Sequence, residues 1–267
     1  MELCFGTQGW AYADWVGGMY DAATRPDGYL RSYAEEFRSV EIDSTFYGTP
    51  LPARVRKWAA SVPAGFTFSC KLPREITHER RLLGAKGLIA EFYDVVREFG
   101  PKLGCVLVQF EASYGRAEEA VFRDALDAFP RDVATAFEFR DPAWYAPDVQ
   151  ALLEERGHAL AVTDAPFVPR ELMAETLARA TVPFAYVRLI GVHDALDRFD
   201  AVRIPRERDI AWWARALRDS LPRVRRIYAY ANNHYQGHSP ATVRALYAAL
   251  GVAHERPVRI EQPTLFS

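Results

Sequence analysis

Short runs rich in β-branched and aromatic residues recur along the chain: LCFGT, SVEID, FTFSCKL, GCVLVQF, TAFEFR, ALAVTD, FAYVRLI and RRIYAYA. Between most of them lie stretches whose apolar residues return every three to four positions: GYLRSYAEEF, PARVRKWAASV, KGLIAEFYDVVREF, AVFRDALDAF, DVQALLEERG, DIAWWARALRDSL and SPATVRALYAAL. The first pattern predicts strands and the second helices. After ALAVTD the helical signal, in RELMAETLAR, is weaker. Strands alternating with helices predict parallel pairing through right-handed crossovers. Eight such units within 267 residues match the size of a (β/α)8 barrel. The expected fold class is therefore α/β, a single TIM barrel over residues 1–257, with residues 258–267 as a C-terminal tail.

The competing architecture, a doubly wound open sheet, would carry a glycine-rich GxGxxG turn after its first strand. GTQGWAYADW lacks that spacing, and no Pro/Ser-rich linker or low-complexity segment divides the chain. Hydrophobic residues make up 49% of the composition, enough for a full core. The formal charge of −2 supplies no global field for nucleic acid or an anionic membrane, so any polyanion site must be built locally. No apolar run is long enough to span a bilayer, and MELCFGTQGW has neither the basic start nor the apolar stretch of an export signal. These features predict a soluble cytoplasmic protein. Cys4, Cys70 and Cys105 each sit in an apolar strand-like run without metal-site or redox-pair spacing, which predicts buried thiols.

In a barrel, chemistry gathers at the C-terminal ends of the strands. That rule selects Glu41 and Asp43 on the second strand, Lys71 on the third, Gln109 on the fourth and Glu138 with Arg140 on the fifth. Asp164 ends the sixth, Arg188 lies near the end of the seventh, and Asn232, Asn233 and His234 end the eighth. Carboxylates crowded together push one another's pKa upward while an arginine pulls one down, which divides them into proton carriers and permanent anions. Glu138 beside Arg140 fits the anion; Glu41 or Asp43 fits the proton carrier. Lys71, Arg140 and Arg188 could hold a substrate phosphate or carboxylate, and a desolvated Lys71 could form a Schiff base. The alternative is an internal ion-pair lattice that plugs the barrel, since unpaired buried charges are costly.

Aromatic residues crowd the same rim: Trp10, Tyr12 and Trp15, then Phe46 and Tyr47, Trp144 and Tyr145, and Tyr235. Such rings stack on sugars or bases, or else anchor loops. His234 and His238, four apart, could join a carboxylate around a divalent metal. Pro240, however, places the helix start after His238, which favours His234 as proton carrier or donor and His238 as a turn residue. No cofactor is otherwise indicated.

Several segments resemble the bacterial and archaeal family called domain of unknown function 72: GTQGWAYADWVGGMY, VEIDSTFYGTP, FTFSCKLPREITH, FEFRDPAWY, YVRLIG and YANNHYQGHSP. The resemblance spans almost the whole chain and implies a TIM barrel, but no reaction. Glu41, Lys71, Glu138, Arg140, Arg188, Asn232, Asn233 and His234 match the family pattern. Asp43 stands where Asn is usual, Asp141 where His is common, and Ile190 where His often follows YVRL. The missing histidines speak against a histidine metal centre common to the family.

The tail ends in EQPTLFS, and Gln262, Leu265 and Phe266 fit the QxxLF pattern, resembling peptides that bind the bacterial sliding clamp. A polar anchor with two apolar plugs suits a hydrophobic groove; the alternative is a tail strapped across the barrel. If the clamp is the partner, the basic segment Arg203–Arg226 could touch phosphates, or simply be a solvated helix face. The leading expectation is an enzyme using carboxylate acid-base chemistry, hydrolytic or isomerising, on a small anionic or sugar-like substrate. Glu41, Glu138 and His234 would be its catalytic residues. Lys71, Arg140, Arg188, Asn232, Asn233, Asp43, Gln109, Asp164, Trp10, Tyr47 and Tyr235 would bind substrate. A clamp-associated nucleic-acid-processing or DNA-repair factor and a non-catalytic metabolite binder are the alternatives.

Overall fold

The computed structural model describes residues 2–192, 194–220 and 222–254. The QPTLF segment, and with it Gln262, Leu265 and Phe266, lies outside the described residues. Nine parallel strands form one sheet: β1 (Glu2–Gln8), β2 (Ser39–Ile42), β3 (Thr67–Lys71), β4 (Leu103–Gln109), β5 (Ala134–Glu138), β6 (Ala159–Leu160), β7 (Val162–Asp164), β8 (Phe184–Leu189) and β9 (Arg226–Ala231). Their order is β6-β5-β4-β3-β2-β1-β9-β8-β7. The two edge strands, β6 and β7, are consecutive and separated only by Ala161. The first half leans on β5, where Ala161 N still donates to Phe137 O at 2.9 Å, and the second half pairs with β8. The sheet thus curls into a nearly closed barrel, and the single run ALAVTD supplies both sides of its seam.

Among the described residues eight α-helices surround the sheet: α1 (Tyr29–Ala34), α2 (Pro52–Ala60), α3 (Lys86–Val96), α4 (Glu119–Ala125), α5 (Pro147–Glu154), α6 (Arg170–Arg179), α7 (Glu207–Ser220) and α8 (Ser239–Leu250). Proline begins α2 and α5 and follows Ser239 in α8, positions where a missing N–H is harmless and φ is already helical. Helix α8 does start after His238, and it ends on Gly251 at φ +71°, the left-handed C-terminal cap that glycine tolerates best. The weak RELMAETLAR signal nonetheless forms the ten-residue α6. No helix among the described residues is long and apolar enough to cross a membrane.

Alternation along each strand separates two cores. Outward residues such as Phe5, Val40, Ile42, Phe68, Val106, Phe137 and Val187 pack under the helices. The inward set is different: Cys4, Cys105, Leu107, Ala136, Ala159, Ala161, Phe184, Tyr186, Tyr228 and Tyr230. Small residues on β5 and β6 face three tyrosines from β8 and β9, so volume is balanced across the barrel. Tyr230 spans the lumen, its hydroxyl 2.7 Å from Ser39 Oγ and 2.8 Å from Ser69 Oγ. Gly6 is required by the close approach of β1 to β2, because a Cβ there would lie 1.9 Å from Ser39 O and 2.8 Å from the Tyr33 hydroxyl. All three cysteines are free and buried; burial first, reinforced by Glu2, pushes the Cys4 thiol up to about 12.

His158, immediately before β6, is fully buried against Phe129 and Phe137, and neither ring nitrogen has a partner among the described residues. Burial, reinforced by Arg131 and Arg156, lowers its pKa to about 4. Below pH 6.5 the unfolded chain takes up a proton that the folded chain refuses until about pH 4, so stability falls as pH drops through that window. The interval corresponds to about 3 kcal/mol. Replacing His158→Leu should therefore flatten the loss of unfolding free energy between pH 6.5 and 4, measured by urea titration across pH; an unchanged pH slope would refute this.

Candidate active site

At the C-terminal end of the barrel the innermost polar layer is organised by Arg188 on β8. Its Nε and Nη2 grip Glu41 of β2 at 3.0 and 2.7 Å, and its Nη1 reaches Glu138 of β5 at 2.8 Å. Tyr186, two residues earlier on the same face, donates to Glu41 Oε2 at 2.6 Å. All three ionic residues are buried, with exposures of 0, 1 and 4% for Glu41, Glu138 and Arg188. Burial raises the Glu41 carboxyl and Arg188 opposes it; a bidentate fork plus a phenol donor holds it as the anion. Burial also works against the Arg188 charge, but Glu138 and Glu41 outweigh it and lift the guanidinium well above its ordinary value.

The geometry divides the expected site. Glu41, Glu138 and Arg188 do converge, and both oxygens of Glu41 are engaged by Arg188 and Tyr186. The expected Glu138–Arg140 pair does not form: Glu138 serves Arg188, and its Oε1 accepts no hydrogen bond among the described residues. Gln109 is buried beside it in register on β4, donating to Phe110 O at 3.3 Å. Asn232 Nδ2 donates to Gln8 Oε1 at 2.8 Å, while its Oδ1 caps the turn at His234 N at 2.8 Å.

Outside this closed layer stand groups without protein partners. Asp43 is half-buried and makes no side-chain hydrogen bond or ion pair among the described residues. Lys71 is likewise unpaired there, its Nζ 4.0 Å from the Phe46 ring centroid. Burial and then the charge of Arg188 lower its amine below the ordinary range, against the pull of Asp43, Glu41 and Glu138. The Arg140 guanidinium lies 5.1 Å from the Phe167 ring, and its buried Nε has no acceptor among the described residues.

Several expected residues are placed elsewhere. Asp164 turns to the helix layer, held by Arg170 at 3.2 Å, Trp213 Nε1 at 2.7 Å and the Tyr235 hydroxyl at 2.7 Å. Thr163 takes the inward position on β7, its buried hydroxyl without a partner among the described residues. Tyr235 is buried in that same outer network, so it anchors a turn and offers no open face to a substrate. Asn233 caps α8, accepting from Ser239 N at 2.9 Å and Oγ at 2.7 Å. His234 meets the Phe199 ring edge-on at 5.0 Å and His238 meets Trp15 at 6.2 Å. Trp10 packs against Trp58, whereas Tyr47 is 80% exposed on the rim. Phe139 stacks on Trp144 at 4.5 Å and on Phe110 at 4.9 Å, anchoring the loops after β4 and β5. In the basic segment, Arg203, Arg206 and Arg226 pair with Asp200, Asp209 and Glu2. Among the described residues no three His, Cys, Asp or Glu side chains gather as metal ligands.

One residue of the site escaped the sequence reading. His78 lies on a π-helical turn, Glu75–Glu79, after β3, a distortion that recurs at functional sites. Its ring meets Phe46 edge-on at 5.0 Å. Burial first, then the charges of Lys71 and Arg140, hold its pKa at about 4. The KLPREITH segment carried the signal, a histidine seven residues beyond a strand-end lysine, but only a π-turn brings it back to the mouth.

The fold and this mouth define a single barrel whose strand ends converge on a buried Arg–carboxylate lattice. The chain matches the family model described as "Protein of unknown function DUF72" over residues 4–265, and it belongs to that family. It is 27% identical over 186 residues to the UPF0759 protein YecE of Escherichia coli K12, covering 62% of this chain and 68% of that one. A solved DUF72 family protein from Thermotoga maritima superposes with a TM-score of 0.76 at 22% identity, over 94% of this chain and all of that one. The structure of SacUVDE shares the fold with a TM-score of 0.55 at 8% identity, over 95% of this chain and all of that one.

Replacing Arg188→Met strands two buried carboxylates, a change that costs about 3–5 kcal/mol. Chemical denaturation should show a loss of that size, and the double replacement Glu41→Gln with Arg188→Met should recover part of it. A loss under about 1 kcal/mol, the range of an exposed pair, would show that the lattice is hydrated.

Proposed function

We propose that the barrel mouth is an enzyme site for a small substrate carrying a carboxylate or phosphate, acted on by carboxylate acid-base chemistry of hydrolytic or isomerising type. The observation that carries this reading is the orphaned Arg140. A guanidinium keeps its charge at any working pH, and here it stands just past β5 with a buried Nε that donates to no acceptor among the described residues. Leaving such a donor unmade costs about 1–3 kcal/mol, and an incoming oxyanion removes that cost by bonding it.

The remaining roles follow from which atoms are occupied. Arg188 cannot bind substrate without surrendering Glu41 or Glu138, so it positions them. Glu138 keeps Oε1 open and is the base best placed to take a proton, with Arg188 fixing its other oxygen at 2.8 Å. Asp43, unpaired at the end of β2, is the second proton carrier. Neutral His78 offers a polar edge that adds no charge beside the two cations. The exposed Tyr47 ring is free to close over a bound ligand.

Isothermal titration with inorganic phosphate and with citrate tests the anion half. Arg140→Ala should weaken binding roughly ten- to hundredfold, the worth of one charge-assisted contact; undiminished affinity would sink the assignment. In turnover screens over phosphorylated and carboxylated metabolites, Glu138→Gln should abolish activity while phosphate still binds. A fully active Glu138→Gln protein would remove Glu138 from the chemistry.

A further inference from the structure

Only four of the chain's 33 basic residues are lysines: Lys57, Lys71, Lys86 and Lys102. Three have ordinary surroundings. Lys57 is exposed, Lys86 pairs with Asp124 at 3.0 Å, and Lys102 donates to Ala59 O and Val62 O at 2.6 and 2.7 Å. Lys71 alone stands at a strand end inside the mouth, with no acceptor among the described residues and only an aromatic face against it. Arg188 occupies both oxygens of Glu41 and one of Glu138, and Asp43, though unengaged, makes no ion pair with this amine among the described residues. Arginine fits carboxylates better, and lysine is the cation that can give up its proton. A chain that uses arginine almost everywhere thus places its one mouth lysine where it makes no salt bridge among the described residues.

We propose that Lys71 is a nucleophilic amine that forms a covalent imine with an aldehyde or ketone substrate whose anionic group rests on Arg140. The neutral Nζ lone pair attacks the carbonyl carbon while the C=O π pair moves to oxygen. Asp43, the carboxylate that acts most strongly on this amine, carries a proton from nitrogen to that oxygen, giving a carbinolamine. A second proton, from solvent through Asp43, leaves with the hydroxyl as water as the nitrogen lone pair closes the C=N bond. Overall, amine, carbonyl and one proton give iminium and water, without oxidant or reductant. The iminium draws electrons from the neighbouring C–H bond, whose proton passes to Glu138 Oε1. The inference rests on the anion reading above and narrows it to isomerising chemistry beside a carbonyl, with 2-oxo acids and phosphorylated ketones as the substrate class.

The test treats the full chain with pyruvate, or separately with acetaldehyde, reduces with sodium cyanoborohydride and maps adducts by peptide mass spectrometry. Pyruvate should label Lys71 severalfold above Lys57 or Lys86, since burial that lowers an amine's pKa enlarges its neutral, nucleophilic fraction. Lys71→Arg, checked for folding by thermal melting, should show no adduct at that position. Arg140→Ala should lose the preference for pyruvate yet still take acetaldehyde at Lys71. Adducts spread evenly over the four lysines overturn the proposal. Phosphate binding with Lys71 unlabelled by either probe overturns the imine and leaves the anion site standing. Selective acetaldehyde labelling without phosphate binding or pyruvate preference overturns the anion contact in both readings.

Discussion

Arg188 is the constraint on which the barrel mouth depends. Its single guanidinium ties β8 to β2 and to β5 through Glu41 and Glu138, strands that are not neighbours in the sheet. Three buried charges in one layer are each expensive to dehydrate, by several kcal/mol. The arrangement is tolerable because every guanidinium nitrogen is bonded and Tyr186 adds a fourth donor. Such a lattice fixes geometry more than it adds stability. It aligns the ends of three strands, and those ends supply Asp43, Lys71 and Arg140 one or two residues further along or on the adjacent strand.

The layer beneath makes this possible. Tyr186, Tyr228 and Tyr230 enter the lumen from adjacent strands, and Gly104, Ser39, Ser69, Ala136 and Ala161 leave them room. Tyr230 consumes the serine hydroxyls and Tyr186 reaches up to Glu41. Polar contacts therefore run from the middle of the barrel into the ionic layer. A branched apolar filling, usual for this fold, would support no buried charge above it.

Much of this was legible in the sequence because it depends on period. The eight apolar runs became strands, and the strand-end rule selected Glu41, Glu138 and Arg188, which do converge. The α8 start was legible from Pro240. Other features depend on where a strand stops or breaks, which period does not encode. ALAVTD breaks at Ala161, and the register on its second half points Thr163 inward and Asp164 outward. Tyr235 and Asn233 looked like rim residues, but a short 3-10 turn, Asn233–Tyr235, folds them into caps and anchors. His78 was hidden because a π-turn has no sequence period of its own. Pairing was the deepest gap: residue types showed that Arg140 or Arg188 could engage Glu138, and only three-dimensional closure decided for Arg188.

That decision separates a bonded arginine from two cations without carboxylate partners among the described residues. At position 188 an arginine meets two carboxylates and every donor is used. At position 140 another arginine meets an aromatic face and keeps an orphaned Nε. At position 71 a lysine sits above Phe46, where the ring face offers a cation about 0.5–1 kcal/mol, and burial outweighs that attraction. Had the charges been present only to plug the barrel, the unpaired Asp43 carboxylate, the open Glu138 oxygen and these two cations would have been free to neutralise one another. They remain apart because Arg188 holds Glu138 in place, and their separation leaves an acceptor, an amine and a guanidinium facing the same mouth. On the proposed reading, a scaffold that satisfies its floor and leaves its rim unsatisfied among the described residues takes its last hydrogen-bond partners from a ligand.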